Sequence, residues 1–169
     1  IRIHGRISKT LVRNLHEFQR YWSMMRPGEY SPVEINAEGY FNEERGEPRA
    51  VLAFSGGLDS VFTAWNNPAV GRDDSRYDIV MAAMIHGFDI PISAAEAFRR
   101  LSVRWTANLE KIGIPLRTIR TNFRDVVDTP WEDVFGTALA AALTPFKAIA
   151  GYALIGSSAP YDALIHPYG

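Results

Sequence analysis

From residue 50 onward, short apolar segments alternate with longer stretches in which apolar residues recur every three or four positions. The apolar segments are residues 50–54, 77–85, 115–121 and 152–158. They are apolar along most of their length, as is typical of strands buried on both faces, whereas a half-exposed strand alternates apolar and polar residues. The pattern therefore predicts an α/β fold, in which a parallel sheet carries helices on both faces.

Helices are predicted between these strands, over residues 59–66, 93–113 and 129–143. Ser93 and Glu96 have the spacing of a capping box, and Gly113 is a typical C-terminal stop. Thr129 is predicted to cap the third helix. Gly136 lies inside that helix, where glycine is unfavourable, and is expected to allow close packing.

Residues 1–49 do not follow this alternation and are predicted to form an N-terminal extension that packs on the main domain, residues 50–169. Residues 11–22 have apolar side chains at helical spacing and predict a helix. Residues 33–41 predict a short pair of strands around Glu38-Gly39, and residues 42–49 a charged linker. The chain has no initiating Met and stops soon after a regular segment, so the main domain is expected to be truncated at its C-terminus.

The composition narrows the function classes. The 169 residues carry a net charge of -1, which gives no electrostatic reason to expect binding to nucleic acid or to an anionic membrane. The chain has no cysteine, so it cannot form a disulfide, a thiolate metal site or a cysteine nucleophile. No apolar run approaches the roughly 18 residues of a membrane span, and no signal-peptide pattern is present. A soluble cytoplasmic protein is expected, and homo-oligomerisation is left open.

Polar segments follow each of the predicted strands. They are SGGLDS, HGFD, TNFRD and GSSAPYD, beginning at residues 55, 86, 121 and 156. Because parallel strands end at the same edge of a sheet, and ligands bind at that edge where the strand order reverses, these segments are the expected site.

The hexapeptide SGGLDS combines groups that suit a phosphate. Gly56 and Gly57 permit positive φ angles and close approach of a ligand to the backbone, and their amides are expected to form an anion-binding nest. The helix that follows adds its positive end, and Ser55 and Ser60 add hydroxyl donors. Asp59 would repel a bare phosphate, so its presence predicts a Mg²⁺ between carboxylate and phosphates. The segment lacks the lysine and the spacing of a Walker A loop, and it is not the dinucleotide fingerprint.

With the preceding phenylalanine, FSGGLDS resembles the SGGxDS signature of the N-type PP-loop ATP pyrophosphatases, the adenine nucleotide alpha-hydrolase-like superfamily. That group includes asparagine synthetase, GMP synthetase, NAD synthetase and several tRNA-modifying enzymes. The resemblance spans residues 50–158, with firm motif support in the loop, and implies a Rossmann-like sheet. It implies an enzyme that binds ATP and Mg²⁺ and adenylates a carbonyl or carboxylate with release of pyrophosphate. An amine, ammonia or a sulfur donor would then displace AMP.

The resemblance, together with position at the strand ends, also assigns residues. The expected nucleotide-binding set is Phe54, Ser55, Gly56, Gly57, Asp59, Ser60, His86 and Ser157. Asp59 and Ser60 are the expected catalytic residues, and Asp59 is expected to support the Mg²⁺. His86 is assigned because it follows the second predicted strand. It is expected either to contact the adenine, the ribose or the second substrate, or only to cap the end of the strand. The acceptor, a small molecule or a macromolecule, is not identified by the sequence.

Two other interpretations of the loop remain open. It is also compatible with a tight strand-to-helix turn in which Asp59 only caps the helix. A third interpretation is a non-catalytic module that senses AMP or ATP and regulates a partner. Such a sensor has less need of a metal-supporting acid, so Asp59 beside Ser60 favours the enzyme.

Overall fold

The chain divides into two units, Ile1–Arg45 and Gly46–Gly169, each with a sheet of its own. The structure, a computed structural model, describes residues 1–43, 49–67 and 77–156. The first unit has a two-stranded sheet and the second a four-stranded sheet.

The first unit is a strand, a helix and a second strand. These are β1 (Arg2–Ser8), α1 (Lys9–Met25) and β2 (Asn36–Phe41), with β1 and β2 parallel. The Oγ of Ser8 accepts a hydrogen bond from the amide of Leu11 at 3.2 Å, so the last residue of β1 is also the N-cap of α1. The helix predicted over residues 11–22 is confirmed and extends further at both ends.

The strand pair predicted around Glu38-Gly39 is wrong. The chain runs straight through these two residues as β2, and its partner is β1, which sequence reasoning missed. β1 is inconspicuous because it is half exposed: Arg2, His4 and Arg6 face solvent, while Ile3, Gly5 and Ile7 are partly covered.

The second unit alternates strands and helices. Its elements in chain order are β3 (Arg49–Ala53), α2 (Leu58–Asn66), β4 (Asp78–His86), α3 (Ala95–Glu110), β5 (Leu116–Arg120), α4 (Phe123–Val126), α5 (Trp131–Leu143), a 3₁₀ helix (Thr144–Ala148) and β6 (Tyr152–Ile155). Every strand pair is parallel, in the order β5-β4-β3-β6. The predicted α/β fold with a parallel sheet is therefore confirmed.

Both faces of this sheet are covered. Leu52 of β3 is fully buried in a cluster that includes Phe98 and Leu109 of α3. Its neighbour Val51 points to the other face, where it packs in a cluster with Leu143 of α5. Adjacent strand residues thus bury on opposite sides, which explains why the central strands β3 and β4 are apolar along most of their length. At the edge of the sheet β5 is not, since Arg117 and Arg120 are exposed.

Two predicted helix caps are wrong. The residue before α3 is Ala94, and the carboxylate of Glu96 binds Arg99 through two contacts of 2.7 Å instead of reaching back to Ser93. This hydrogen-bonded ion pair lowers the pKa of Glu96. Thr129 lies one residue too early, because α5 has Pro130 at its N-cap and no side-chain cap bond.

Two glycines of the helices have different outcomes. Gly113 ends α3 as predicted, with a φ of 75° and its amide bonded to the carbonyl of Glu110 at 3.0 Å. Gly136 does not serve close packing, because a Cβ added there meets no described atom within 4 Å.

The strand order places the carboxyl end of β3 where the order reverses. From β3 the chain moves outward through β4 to β5, and then returns to the other side of β3 as β6. The order therefore reverses at β3, and the crevice beyond its carboxyl end is where open α/β sheets bind ligands. Among the described residues, no helix has the length and apolar character needed to cross a membrane.

Candidate functional site

The SGGLDS segment leaves the carboxyl end of β3 and enters α2. Gly57 is the N-cap of α2, with extended backbone angles, and α2 begins at Leu58. Phe54, the residue before the motif, is buried and its amide donates to the carbonyl of Ala83 in β4 at 2.9 Å. The predicted loop therefore lies where the strand order reverses.

The two serines of the motif tie the loop together. Ser60 is 6% exposed, and its Oγ donates to the carbonyl of Gly57 at 2.9 Å. That bond uses its one hydrogen, so the 3.3 Å contact between the two hydroxyls is a donation from Ser55 to Ser60. Ser60 Oγ also accepts from the amide of Gly56 at 3.2 Å, which leaves the buried hydroxyl fully hydrogen-bonded.

The glycine amides are not free to form the predicted nest. The amide of Gly56 donates to Ser60, and the amide of Gly57 donates to Ser55 Oγ at 3.2 Å. The first helical bond of α2 runs from the amide of Val61 to the carbonyl of Gly57 at 3.0 Å. The amides of residues 58–60 precede it, so these are the donors that the start of α2 can offer an anion.

Gly56 is required by the loop for two reasons. Its φ of 82° lies in the region that favours glycine, and a Cβ added there would overlap the indole nitrogen of Trp105. Trp105 in turn packs edge-on against Phe54, with ring centroids 5.1 Å apart. Helix α3 therefore packs against the loop through Trp105.

The carboxylate of Asp59 is exposed at the start of α2, beside the end of β6. A Cβ added at Gly156, the residue after β6, would lie 3.1 Å from the carbonyl oxygen of Asp59. This close approach places β6 directly against the loop. No group of three or more His, Asp or Glu side chains that could hold a metal occurs among the described residues.

A cavity of about 290 Å³ opens beside the loop. Its polar end includes Ser55, Asp59 and Ser60. Its other walls are mainly apolar and include Phe88, Trp131, Phe135 and Leu139. The described lining contains two carboxylates, those of Asp59 and Asp89, and no Lys, Arg or His.

Sequence reasoning missed the aromatic walls. Trp131 and Phe135 lie one turn apart on α5, and Phe88 follows β4; the rings of Phe88 and Trp131 are 5.0 Å apart. Arg124 links Phe88 to Trp131, because its Nη1 donates to the carbonyl of Phe88 at 3.1 Å and its guanidinium lies 4.9 Å from the Trp131 ring. The sequence signal that could have predicted this wall is the pair Trp131 and Phe135, at the start of the helix that follows the third predicted strand.

His86 is placed differently from the expected ligand contact. Its side chain is buried at the end of β4, stacks on Phe98 with centroids 4.3 Å apart, and is not among the residues that line the cavity. Its Nε2 donates to the carbonyl of Pro91 at 2.9 Å, which fixes the ring against the loop after β4. The geometry is that of a supporting residue beneath the site.

The structure brings most of the predicted set together. Phe54, Ser55, Gly57, Asp59 and Ser60 all line the cavity, and Gly56 lies in the same loop. Ser157 lies outside the described residues, so its assignment stays a prediction. Arg124 and Asp89 are both near the cavity, but only Asp89 lines it.

Comparisons with protein-family models, with curated proteins and with solved structures found no match to this chain.

Proposed function

We propose that this protein is a PP-loop enzyme whose parallel sheet is Rossmann-like, of the adenine nucleotide alpha-hydrolase type. It binds Mg-ATP, adenylates a carbonyl or carboxylate substrate and releases pyrophosphate. The observation that carries the proposal is the position of SGGLDS, at the carboxyl end of β3, where the strand order reverses and a cavity of about 290 Å³ opens.

The phosphates of ATP belong at the polar end of the cavity. The amides of residues 58–60 and the exposed hydroxyl of Ser55 are the donors there. Ser55 now donates to Ser60, so phosphate binding exchanges this internal bond for a bond to a phosphate oxygen, while buried Ser60 keeps its bonds to Gly56 and Gly57. The exchange keeps the number of hydrogen bonds and replaces a neutral bond by a charge-assisted one, which is stronger.

The residues at this end fit Mg²⁺. The exposed carboxylate of Asp59 lines the cavity, and Mg²⁺ in nucleotide sites is commonly held by one or two carboxylates and the substrate phosphates. Without a cation, a triphosphate would face the carboxylates of Asp59 and Asp89 with no positive side chain in the described lining. The metal, when bound, supplies charge neutralisation for the leaving pyrophosphate.

The apolar walls suit the base and the acceptor. Phe88, Trp131 and Phe135 present aromatic rings on which a flat base can pack. The cavity thus orients the α-phosphorus between the loop and the acceptor, and positioning is the main requirement of phosphoryl chemistry.

The chemistry balances without a nucleophile from the protein. An oxygen of the acceptor attacks the α-phosphorus, the bond to the bridging oxygen breaks, and pyrophosphate leaves. The adenylated acceptor then reacts with an amine, ammonia or a sulfur donor, and AMP departs. Since the chain has no cysteine, any sulfur must come from another molecule.

A non-catalytic nucleotide sensor is the second candidate. The observation in its favour is the absence of a Lys, Arg or His from the described lining, since enzymes that transfer phosphoryl groups usually supply such a cation. A sensor needs the loop and the apolar walls, and it releases no pyrophosphate.

The test is calorimetry with an ATP analogue that carries a non-hydrolysable α,β linkage, with and without Mg²⁺. We expect Mg²⁺-dependent binding that weakens about tenfold or more in Asp59→Asn, because a charged interaction is lost. Asp78→Asn is the matched control, since Asp78 is the first residue of β4 and lies at the amino ends of the strands, away from the loop. Equal binding by wild type and Asp59→Asn, with or without metal, would favour the sensor, and no binding by the folded chain would contradict both candidates.

A further inference from the structure

A second cavity lies on the N-terminal unit, along α1 and beside β2. It is a groove of about 410 Å³ whose lining includes Lys9, Arg13, His16, Glu17, Arg20 and Tyr40. This groove belongs to the unit that carries no part of the SGGLDS site, so its role is independent of the function proposed above.

The basic residues of the groove form a straight stripe on α1. Lys9, Arg13, His16 and Arg20 are spaced by four, three and four residues, which keeps them within about 60° around the helix. From first to last they span about 16 Å along the axis, at 1.5 Å per residue. The stripe therefore presents positive and hydrogen-bonding groups at regular intervals along one line.

These cations are available to a ligand. Arg13 is 4.0 Å from Glu17, and both side chains are more than two-thirds exposed, so this ion pair is weak. In the described part of the chain, Lys9 and Arg20 form no ion pair. Three cations and one carboxylate thus give the groove a local positive charge that the net charge of the whole chain does not reveal.

An aromatic side chain lies in the same groove. Tyr40 of β2 is 44% exposed, and its carbonyl accepts from Arg6 at 3.1 Å, which holds the strand in place. A basic groove that follows a line, with an exposed ring beside it, is the arrangement that binds single strands: cations contact phosphates while bases stack on the ring.

We propose that this groove binds single-stranded nucleic acid, with Lys9, Arg13 and Arg20 on the phosphates and Tyr40 stacked on a base. The regular spacing of the cations matches a regular polyanion better than an acidic peptide. An anionic membrane is disfavoured because Leu11 and Phe18, two of the three large exposed apolar residues of α1, lie about 180° around the helix from the stripe, and only Met24 lies on the stripe's side. A helix that inserted them would turn its cations away from the lipid.

The test is fluorescence anisotropy of a labelled 12-nucleotide oligouridylate with the full chain. Uridine keeps the assay independent of a site for adenine nucleotides. We expect a Kd in or below the 10⁻⁴ to 10⁻⁶ M range of non-specific binding, and an affinity that falls about 20-fold between 50 and 200 mM salt for three phosphate contacts. The variant Arg13→Gln/Arg20→Gln should weaken binding and lower the log–log salt slope by about 1.4.

Tyr40 separates stacking from charge. Tyr40→Ala should weaken binding about tenfold at every salt concentration and leave the salt slope unchanged, whereas Tyr40→Phe should retain the affinity. Arg100→Gln/Arg104→Gln on α3 is the matched control for charge and should bind as wild type. Circular dichroism checks that every variant is folded.

Three results would overturn the proposal. One is no change of anisotropy at about 100 µM protein in low salt. Another is unaltered binding by Arg13→Gln/Arg20→Gln. The third is equal competition by polyglutamate or by phosphatidylserine vesicles, since the groove would then respond to negative charge of any kind.

Discussion

The hydroxyl of Ser60 lies 3.2 Å from the amide nitrogen of Gly56 and, through its own hydrogen, 2.9 Å from the carbonyl oxygen of Gly57. One buried side chain therefore joins the two glycines of the motif and closes the loop at the start of α2. The loop is held in shape before any ligand arrives, which lowers the entropy cost of binding one.

Ser60→Ala should lower the free energy of unfolding by about 1–3 kcal/mol, because the partly buried amide of Gly56 loses its acceptor and the carbonyl of Gly57 keeps only its bond from Val61. Chemical denaturation followed by circular dichroism measures the change. Thr63→Ala is the matched control: its hydroxyl, also on α2, binds the carbonyl of Asp59 at 2.8 Å near the surface, and its removal should cost less than about 0.5 kcal/mol. Equal effects of the two variants would contradict the role given to Ser60.

Gly56→Ala should destabilise the protein by more than the roughly 1–2 kcal/mol that a left-handed φ costs, since the added Cβ overlaps Trp105. Gly57→Ala, one residue on, should be well tolerated, because its φ is −78° and its Cβ would meet only Ser55 Oγ at 3.3 Å. Unfolding titrations of both variants measure this difference, and Gly56→Ala, Trp105→Ala and their combination form a double-mutant cycle. A coupling free energy of zero would show that Trp105 does not restrict Gly56.

Gly87→Ala and Gly136→Ala should change stability in opposite directions. At Gly87 the φ is 110° and a Cβ would overlap the carbonyl oxygen of Thr121, so the loss should exceed about 3 kcal/mol. At Gly136 the added methyl meets no described atom within 4 Å, so alanine should stabilise α5 by about 1 kcal/mol. Thermal and chemical unfolding measure both, and a loss at Gly136 would mean that the site is more crowded than described.

Phe135→Ala should weaken binding of the ATP analogue about five- to tenfold with little change in stability, because the ring is 43% exposed yet lines the cavity. Phe62→Ala is the matched control: it is 63% exposed on α2 and is not among the lining residues. Calorimetry gives the affinities. The same affinity for Phe135→Ala as for wild type would remove the aromatic wall from the proposed site.

The main sheet was predictable because its central strands, β3 and β4, are buried on both faces. Leu52 and Val51 are neighbours that pack on opposite sides, so β3 is apolar at every position after Arg49 and stands out in the sequence. β1 was missed for the converse reason, since Arg2 and Arg6 interrupt it. The predictions of caps at Ser93 and Thr129 were wrong because neighbouring residues also interact at a helix start. Glu96 binds Arg99 instead of the backbone at Ser93, and the N-cap of α5 is Pro130, one residue after Thr129.

The candidate site was predicted in its location but not in its detail. SGGLDS after an apolar segment was sufficient to place Asp59 at the carboxyl edge of the sheet. The bonds of Ser60 depend on side-chain rotamers, and the approach of Phe88 to Trp131 depends on how β4 and α5 come together in space. His86 was expected near the ligand because it ends a strand. A side chain at a strand end can also point into the core, and His86 does so and stacks on Phe98.

The position of β6 has a consequence for the order in which the protein is built. β6 lies at the edge of the described sheet, and Tyr152 pairs with Ala50, a partner 102 residues earlier (152 − 50). During synthesis, β3, β4 and β5 leave the ribosome first and can pair across much shorter separations. Gly156 reaches Asp59 only after β6 has been made, so the nascent chain carries the motif long before it has the surroundings of a finished site.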